Sequence, residues 1–445
     1  MTVTLSGDTG TTPAVGGQRH VPVPDPVACD YLLLALRLDQ HIPGLVDGYF
    51  GPADLKAQVD VEELRRPAAL IDDAVGLLDR LPAEVSEPDR LDWLVAQVTA
   101  LRTHAEALAG RELPYFESVT RLFAWTPVRR DEAVFEEAAV EIDRLVPGSE
   151  PLAARLAVWD AQFAVGVDRL RSVVAWLVDR FRARSAERFG LPPGEDLQVR
   201  FVSAKPWTGY NWYFGGLTSR VEINTDLPSI ASELIGVTAH ETYPGHHLEH
   251  AWKEDELVLR RRRLESSVLL INTPECLVSE GLADLGRRFA SPARDEPDLL
   301  VELFERAGLA ISSDPVATRE AAERCVALAP LRRRLGETRV NAALMRHADG
   351  ATHDEVLAYL ERVGRFSPET AAKRLEFIEH PLWRTYVFVY YEGELLLRRW
   401  LDAVPEADRA GRFGRLFREQ LSPAAIAAEI ERDRNSGAAP ATEPS

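Results

Sequence analysis

A histidine-rich segment that is interrupted by proline and glycine constrains this chain more than any other feature. The 445 residues include ten histidines, and four of these lie in the segment HETYPGHHLEH at 240–250. Proline breaks or kinks a helix and glycine adopts backbone angles that other residues avoid, so a helix carrying this segment must change course at Pro244 and Gly245. Histidines clustered beside acidic residues are typical of a transition-metal site. We therefore expect the rest of the chain to act as a scaffold that brings further groups to this segment.

The segment differs in its spacing from the usual zinc-peptidase motif. In H-E-x-x-H on a helix, histidines at i and i+4 bind one ion and the glutamate is the general base. His240 and Glu241 begin that motif, but the next histidines are at i+6 and i+7. A bulge at the Pro-Gly pair would return one of them to the i+4 place, and we expect His246 to be the second ligand, with His247 as the alternative. The remaining histidine is expected to line the site and to hydrogen-bond an oxyanion or a carboxylate.

A catalytic zinc ion commonly has three protein ligands and one open position. The downstream stretch TPECLVSEGLADL at 273–285 is predicted to be a helix with proline in its first turn. Its Glu280 and Asp284 are four residues apart and share one face. We expect Glu280 to be the third ligand and Asp284 to accept a hydrogen bond from a ligand histidine. Glu249 and Glu275 are the alternatives for the third ligand.

The two motifs together, HETYPGHH and SEGLAD, resemble the bacterial family called domain of unknown function 885. That family has the pattern H-E-x-x-P-G-H-H followed by E-G-W-A, and it is similar to the gluzincin metallopeptidases. In gluzincins the third zinc ligand is a glutamate from a later helix. The resemblance covers the second half of the chain, and it implies that His240, His246 and Glu280 bind zinc and that Glu241 is the general base.

A late stretch, HPLWRTYVFVYYEGE at 380–394, resembles the family's C-terminal segment, in which a tyrosine lies three residues before a glycine. Tyr390 matches that tyrosine, and a phenol beside a metal can donate a hydrogen bond to a tetrahedral oxyanion. Bulkier residues here replace the proline, glycine and glutamine that usually precede the tyrosine. Arg384 in the same stretch is a candidate partner for a substrate carboxylate.

A change in residue pattern before the histidine segment predicts a small antiparallel sheet. Residues 198–202 alternate like a strand, 207–216 are rich in aromatic residues and glycine, and 220–224 form a second short strand pattern. A strand before the metal helix is the gluzincin order, in which the edge strand pairs with an extended peptide. We expect Tyr210 and Tyr213 to contribute to the substrate pocket.

Helical periodicity dominates the remaining sequence, so we predict a mainly α fold. By resemblance this is a large bundle-like metallopeptidase fold with the small sheet in front of the metal helix. Apolar residues recur with a helical period over 151–188 and predict one long helix there. The predicted divisions are a disordered tail at 1–24, one catalytic domain at 25–434 with an N-terminal helical lobe at 25–190 and a metal-site lobe at 191–434, and a disordered tail at 435–445.

Charge and cysteine content limit the partners and the compartment. A net charge of −18, from 52 basic and 70 acidic residues, argues against a nucleic-acid or an anionic-membrane partner. No apolar run reaches transmembrane length, and the N-terminus has no signal-peptide pattern. Cys29, Cys276 and Cys325 are far apart, which indicates free thiols in a reducing compartment. We expect a cytoplasmic protein.

The sequence thus predicts a metallohydrolase, a peptidase or amidase whose substrate is a small peptide or a small-molecule amide. The expected ion is Zn²⁺, with manganese and cobalt as alternatives. Two other functions are open: a metal-dependent enzyme acting on a non-peptide metabolite, and a metal-binding protein without turnover. The presence of both Glu241 and Glu280 argues against the last, because a protein that no longer catalyses can lose its base without penalty.

Overall fold

Helices form most of this protein, and β-structure is confined to three small sheets within the described residues. The computed structural model describes residues 25–205, 207–226 and 228–435. The predicted mainly α fold is therefore confirmed. The predicted tail at 1–24, and the C-terminal tail beyond residue 435, lie outside the described residues.

The helices follow one another along the whole described chain. The first half contains α1 (Pro26–Asp39), α2 (Ala53–Val61), α3 (Pro67–Glu84), α4 (Pro88–Leu108), α5 (Tyr115–Phe123), α6 (Glu132–Leu145), α7 (Leu152–Ala161) and α8 (Val167–Phe189). The second half contains α9 (Ala231–Glu241), α10 (His246–Lys253), α11 (Pro274–Ala290), α12 (Glu296–Ala307), α13 (Pro315–Gly336), α14 (Thr338–His347), α15 (His353–Arg362), α16 (Pro368–Glu379), α17 (Glu394–Asp402), α18 (Glu406–Arg415) and α19 (Pro423–Asn435). Two π-helical turns span Glu254–Arg260 and Val389–Gly393, and two 3-10 turns span Leu264–Ser267 and Ala310–Ser313. No helix in these ranges is both long and apolar enough to cross a bilayer.

Seven short strands form the three sheets. The strands are β1 (Val46–Tyr49), β2 (Ala164–Val165), β3 (Asp196–Val202), β4 (Gly209–Tyr213), β5 (Thr218–Asn224), β6 (Ser229–Ile230) and β7 (Val268–Leu270). β1 pairs with β7 and β2 with β6, both antiparallel, and the third sheet has the order β3-β5-β4. The predicted antiparallel sheet holds for the β4–β5 hairpin, whereas β3 is parallel to β5. The chain reverses twice between β3 and β5, so these two strands run the same way, and β5 takes the central place.

The prediction of one long helix over 151–188 is wrong. Two helices, α7 and α8, lie there and are separated by β2. The carbonyl of Phe163 accepts the backbone N–H of Ala231 at 2.9 Å, and Ala164 pairs with Ile230. Both helices bury apolar side chains in the same core, so the helical period continues across the break and does not reveal it. This pairing holds the start of α9, the first helix of the metal centre.

One cluster of buried apolar side chains runs from Val27 to Ile430 and includes residues on both sides of the predicted lobe boundary. A buried ion pair also joins the two parts. Arg90 of α4 donates to both carboxylate oxygens of Glu265, at 2.7 and 2.9 Å. These two parallel hydrogen bonds compensate for the water that both charged groups lose on burial. Helix α4 is therefore tied directly to the second half of the chain.

Helix α11 lies in the middle of the second half and contacts α9, α17 and the π-helical turn Val389–Gly393. Two glycines allow this turn to touch α11. A Cβ on Gly281 would lie 2.4 Å from the carbonyl carbon of Gly393, and a Cβ on Gly393 would lie 2.1 Å from the carbonyl oxygen of Leu277. Real side chains do not fit at these distances, so the two backbones meet directly.

Candidate metal centre

The histidine segment folds as two helices with a break at the Pro-Gly pair. Helix α9 ends at Glu241 and α10 begins at His246, directly after Gly245. A Cβ on Gly245 would lie 1.9 Å from the carbonyl oxygen of His240, so only glycine fits where the chain turns back against α9. The break brings the rings of His240 and His246 to a centroid distance of 4.7 Å with perpendicular planes. The predicted bulge is therefore present.

Three helices bring His240, His246 and Glu280 together. Their ligand atoms all lie within 4.8 Å of one another. Nε2 of His240 is 3.4 Å from Oε2 of Glu280, and Nε2 of His246 is 3.8 Å from Oε1 of the same carboxylate. Oε2 of Glu280 is buried and has no hydrogen-bond partner among the described residues. Two imidazoles and a carboxylate with one unpaired buried oxygen fit a zinc ion.

Asp284 lies behind the first histidine, within hydrogen-bond distance of its ring. Nδ1 of His240 lies 3.0 Å from Oδ1 of Asp284, and Arg333 donates to the other carboxylate oxygen at 2.6 Å. A proton on Nδ1 leaves Nε2 free as a ligand atom. Burial opposes the charged form of His240, but the carboxylates of Asp284 and Glu280 outweigh burial and raise its pKa well above the usual value.

Glu249 lies behind His246, on the side of the ring away from Glu280. Its Oε2 is 3.4 Å from Nδ1 of His246 and accepts a hydrogen bond from Ser279 at 2.7 Å, while its Oε1 accepts from Lys253 at 2.6 Å. Ligand atoms of His246, Glu249 and His250 also lie within 4.8 Å of one another. Because Lys253 already neutralises Glu249, this second group suits a cation less well than the first.

Glu275, the other alternative, also lies apart from the three ligand atoms. It accepts the indole N–H of Trp93 at 2.6 Å and pairs with Lys253. Of the carboxylates that the sequence offers for the third position, the structure brings Glu280 to the two histidines.

His247 does not face this centre, contrary to the expectation that it lines the site. Its ring is fully buried, with Nδ1 2.9 Å from the hydroxyl of Ser219 and Nε2 2.8 Å from a carboxylate oxygen of Glu195. Neighbouring residues on a helix point about 100° apart, so α10 directs His246 to the centre and His247 into the core. Both ring nitrogens of His247 are occupied there.

Glu241 lies beside the ligand atoms, with its carboxylate open to the adjoining cavity. That carboxylate has no hydrogen-bond partner among the described residues, whereas the backbone carbonyl of Glu241 accepts from Asn211 at 2.8 Å. Gly209 makes room for it, because a Cβ there would lie 3.1 Å from Cγ of Glu241. Burial raises the pKa of Glu241, and the charges of the two ligand histidines oppose that shift. The carboxylate of Glu241 therefore lies at the cavity without a hydrogen bond that would prevent it from exchanging a proton.

Two tyrosines from the late aromatic stretch reach the centre. The hydroxyl of Tyr386 donates to Oε1 of Glu280 at 2.6 Å. Tyr390 lies on the π-helical turn, 5.4 Å from the Tyr386 ring between centroids, and lines the cavity. Its hydroxyl has no hydrogen-bond partner in the described part of the chain. Sequence reasoning found Tyr390 and missed Tyr386, although a helical spacing of four residues from Tyr390 was available as a signal.

The three side chains predicted to bind substrate have different locations. Tyr210 lines the cavity, and its hydroxyl donates to Asp47 of β1. Tyr213 is buried and donates instead to Glu254, because residues three apart on a strand point to opposite faces. Arg384 is exposed and lies outside the cavity lining. The structure thus brings Tyr210 to the site, but not Tyr213 or Arg384.

Asp47 is a residue of the site that no local pattern indicates. It reaches the cavity through the pairing of β1 with β7, more than 190 residues earlier in the chain than His240. Burial raises its pKa; the hydrogen bond from Tyr210 and the charge of His246 lower it, while that of Glu280 raises it further. The metal centre and Asp47 therefore lie close enough to affect each other's charge.

A cavity of about 2910 Å³ opens beside the ligand atoms. One wall is formed by Trp207 and by Tyr210 and Trp212 of strand β4. Other parts are formed by α7, α11, α13 and α16. The cavity contains both carboxylates and arginines, so it suits a polar substrate.

No family model and no curated protein matches this chain. Among solved structures it is similar to a candidate lipoprotein from Colwellia psychrerythraea, with 14% identity and a TM-score of 0.47 over 93% of this chain and 77% of that chain. It is also similar to a candidate lipoprotein of unknown function from Shewanella oneidensis, with 12% identity and a TM-score of 0.42 over 85% of this chain and 75% of that chain.

Proposed function

We propose that this protein is a zinc-dependent hydrolase that cleaves an amide bond in short peptides. One observation carries the proposal: ligand atoms of His240, His246 and Glu280 converge from three helices beside the unpaired carboxylate of Glu241. A structural metal site needs no free carboxylate next to its ligands, whereas a hydrolytic site does.

His240, His246 and Glu280 would hold the ion, with Asp284 and Glu249 orienting the two imidazoles from behind. A bound zinc ion supplies Lewis-acid chemistry, polarising a carbonyl oxygen and acidifying water. Tyr386 keeps the Glu280 carboxylate in place by donating to Oε1, which leaves the unpaired Oε2 available.

Glu241 is the general base in this proposal. Its carboxylate takes a proton from the attacking water as the water oxygen bonds to the amide carbon. It then delivers that proton to the leaving nitrogen as the carbon–nitrogen bond breaks. The unpaired hydroxyl of Tyr390 can donate a hydrogen bond to the oxyanion that forms between these two events.

The cavity favours a peptide over a small metabolite. Its volume of about 2910 Å³ exceeds the roughly 300–1,000 Å³ of most small-molecule sites. Strand β4 lies at the edge of its sheet and lines the cavity beside Glu241, where an extended peptide can pair with its free backbone groups. Helical walls on the other sides favour short chains over folded proteins.

We also propose a cytoplasmic location. Cys29, Cys276 and Cys325 are all free thiols, which persist in a reducing compartment.

The first test is the metal content of purified protein by elemental analysis. We expect about one zinc per chain, as three protein ligands bind one catalytic ion, and a loss of zinc in His240→Ala, His246→Ala and Glu280→Ala. Glu275→Gln is the matched control, because Glu275 is a half-buried carboxylate on the same helix as Glu280 but outside the ligand set. Wild-type protein that takes up no zinc when zinc is supplied would reject the proposal.

The second test is hydrolysis of a short-peptide library, followed by mass spectrometry. Glu241→Gln should keep its zinc and lose activity, whereas Glu361→Gln, which removes a different carboxylate from the cavity wall, should keep both. Full activity in Glu241→Gln would overturn the assignment of the base. Zinc binding without cleavage of any peptide would favour a non-peptide amide or a protein without turnover.

A further inference from the structure

Two arginines that line the cavity have no carboxylate partner among the described residues, unlike the other arginines of its wall. The remaining arginines of the cavity wall pair with carboxylates, as in Arg287 with Glu296 and Arg332 with Asp160. Arg339 and Arg374 also line the cavity, but neither forms an ion pair within the described parts of the chain. Guanidinium groups that face a cavity without a counter-ion are candidates for binding an anion.

Arg339 is held in position by contacts that leave its outer nitrogens free. Its Nε donates to the carbonyl of Gly336 at 3.1 Å, and its guanidinium lies 4.9 Å from the centroid of the Tyr391 ring. Arg333 lies 4.6 Å from the same ring centroid and is fully engaged with Asp284 and Glu394. The Nη1 and Nη2 atoms of Arg339 make no hydrogen bond to any described residue. Arg339 is therefore oriented, while its bidentate edge remains available.

Arg374 comes from a different element, helix α16, and lies near Arg339. Burial, followed by the charges of Arg374 and Arg333, lowers the pKa of Arg339 to about 9. Burial also lowers the pKa of Arg374, and the charges of Tyr390 and Glu233 only partly oppose this. Arg339 is half-buried, whereas the side chain of Arg374 is exposed. Two like charges that are close together repel each other, and a bound anion would relieve this repulsion.

The two arginines lie close to the metal centre, with Tyr390 near both. Burial, and after it the charges of Glu280 and Asp284, raise the pKa of Tyr390, while the charge of Arg339 opposes this shift. A group bound by the arginines is thus near the phenol that faces the reacting carbonyl in the proposed mechanism. Every peptide with a free C-terminus carries one anionic group regardless of its sequence, the carboxylate of its last residue.

We infer that Arg339 and Arg374 bind a carboxylate of the substrate and so select anionic peptides at the metal centre. This inference rests on the proposed function and adds the substrate class to it. The carboxylate can belong to the C-terminus of a peptide or to an acidic side chain, and the experiment separates these two sources.

The test measures binding without turnover. Zinc-loaded Glu241→Gln protein is dialysed to equilibrium against a tripeptide library randomised at all three positions, and bound peptides are quantified by mass spectrometry. One copy of the library has free C-termini and another has C-terminal amides. We expect the free acids to bind about tenfold to a hundredfold more tightly than the amides, the usual range for charge-assisted hydrogen bonds. If the peptides retained from the amide library all contain Asp or Glu, the carboxylate that binds belongs to an acidic side chain.

Arginine variants in the same background locate the effect. Arg339→Gln and Arg374→Gln should each remove most of the preference for acids, and Arg339→Lys should restore part of it, because lysine keeps the charge but lacks the bidentate edge. Arg365→Gln is the matched control, since Arg365 lines the same cavity but is paired with Glu136. Zinc content and melting temperature, measured for every variant, show that each protein is folded and loaded.

The outcomes also separate the inference from the proposed function. Equal binding of acids, acidic peptides and neutral amides would overturn the inference even if wild-type protein hydrolyses peptides. A preference for carboxylates that survives in both glutamine variants would overturn it as well. Selective binding that depends on the two arginines, without hydrolysis by wild-type protein, would support the inference and reject the proposed hydrolase.

Discussion

His246 and His247 are adjacent in the sequence but lie in different chemical environments. His246 points to His240 and Glu280, whereas His247 points into the core between Ser219 and Glu195. Burial raises the pKa of Glu195, but the hydrogen bonds from His247 and Tyr243 outweigh burial and lower that pKa to about 2. His247 therefore supports a buried carboxylate, and its loss should affect folding rather than the metal.

We predict that His247→Ala lowers the free energy of unfolding by about 3 kcal/mol, because it leaves a buried carboxylate without one of its partners. Zinc content per folded chain should be unchanged. Urea unfolding and elemental analysis of the same sample measure both quantities. Loss of zinc at unchanged stability would return His247 to the set of possible ligands.

In the proposed zinc site Asp284 would act on the ion only through His240, so its removal should weaken zinc binding without abolishing it. We predict that Asp284→Asn lowers zinc affinity about tenfold to a hundredfold, the usual effect of losing a carboxylate behind a ligand histidine. Competition with a chromophoric chelator measures the affinity. Asp298→Asn, at an exposed surface position, is the control. An affinity equal to wild type would show that the hydrogen bond of 3.0 Å to His240 does not orient the ring.

The sequence predicts only part of the site, because some of its residues lie in one local motif and others come from distant segments of the chain. His240, His246, Glu280 and Asp284 lie on short local motifs whose helical spacing determines which side chains share a face. Asp47 reaches the site only through the pairing of β1 with β7, and a pairing between distant segments has no local signature. Arg339 and Arg374 look like ordinary surface residues in the sequence, and only the fold shows that neither has a counter-ion.

At the scale of elements, the turn between α9 and α10 decides whether a metal site exists. Gly245→Ala should abolish zinc binding, because the added Cβ would overlap the carbonyl oxygen of His240 and force the two helices apart. Gly236→Ala is the matched control on α9, where a Cβ meets only the end of the Arg287 side chain at 3.4 Å. In a helix interior that change should stabilise by about 0.5–1 kcal/mol. Zinc retention in Gly245→Ala would show that the turn can relax.

A buried histidine links α4 to the segment that leads into α11. Nε2 of His104 lies 3.2 Å from the carbonyl of Asn272. Burial lowers the pKa of His104 from 6.5 to about 4, and the hydrogen bond only partly opposes this. Between these values the unfolded chain binds a proton that the folded protein does not, so stability falls as the pH falls through this window.

We predict that this group alone reduces the free energy of unfolding by about 2 kcal/mol between pH 7 and pH 5. In His104→Gln, whose amide can donate to the same carbonyl, that share of the pH dependence should disappear. Urea unfolding of both proteins at the two pH values isolates the difference, because all other titrating groups are common to both. Parallel pH dependence in the two proteins would contradict the burial of a neutral imidazole.

The sequence predicts the ends of helices correctly where proline or glycine interrupts them. It fails where the end of a helix depends on pairing with a distant strand. Proline near the start of α11 and the Pro-Gly break after α9 are visible in the sequence and correct. The division of 151–188 into α7 and α8 depends on two residues of β2 pairing with β6, which the apolar period does not contain. The parallel pairing of β3 with β5 likewise follows from which strand takes the centre of the sheet.

At the scale of the whole molecule, zinc should stabilise the fold, because its proposed ligands come from three helices that share one core. Free zinc at a hundred times the dissociation constant should add about 2.7 kcal/mol, which raises the melting temperature of a chain this long by about 3 °C. Differential scanning calorimetry with zinc and with a chelator measures the shift. Glu280→Gln should melt at the same temperature in both conditions. A shift that persists in this variant would indicate zinc binding elsewhere.

The contact between Gly281 and Gly393 has a consequence for turnover. Because two backbones touch there, with no side chain between them, the spacing of Glu280 and Tyr390 follows from main-chain geometry alone. Side-chain rearrangements elsewhere in the cavity should leave that spacing unchanged, so we expect the proposed metal ligand and the phenol to keep a fixed separation. A product that contacts both the ion held by Glu280 and the hydroxyl of Tyr390 should therefore lose the two contacts together and leave in a single kinetic step.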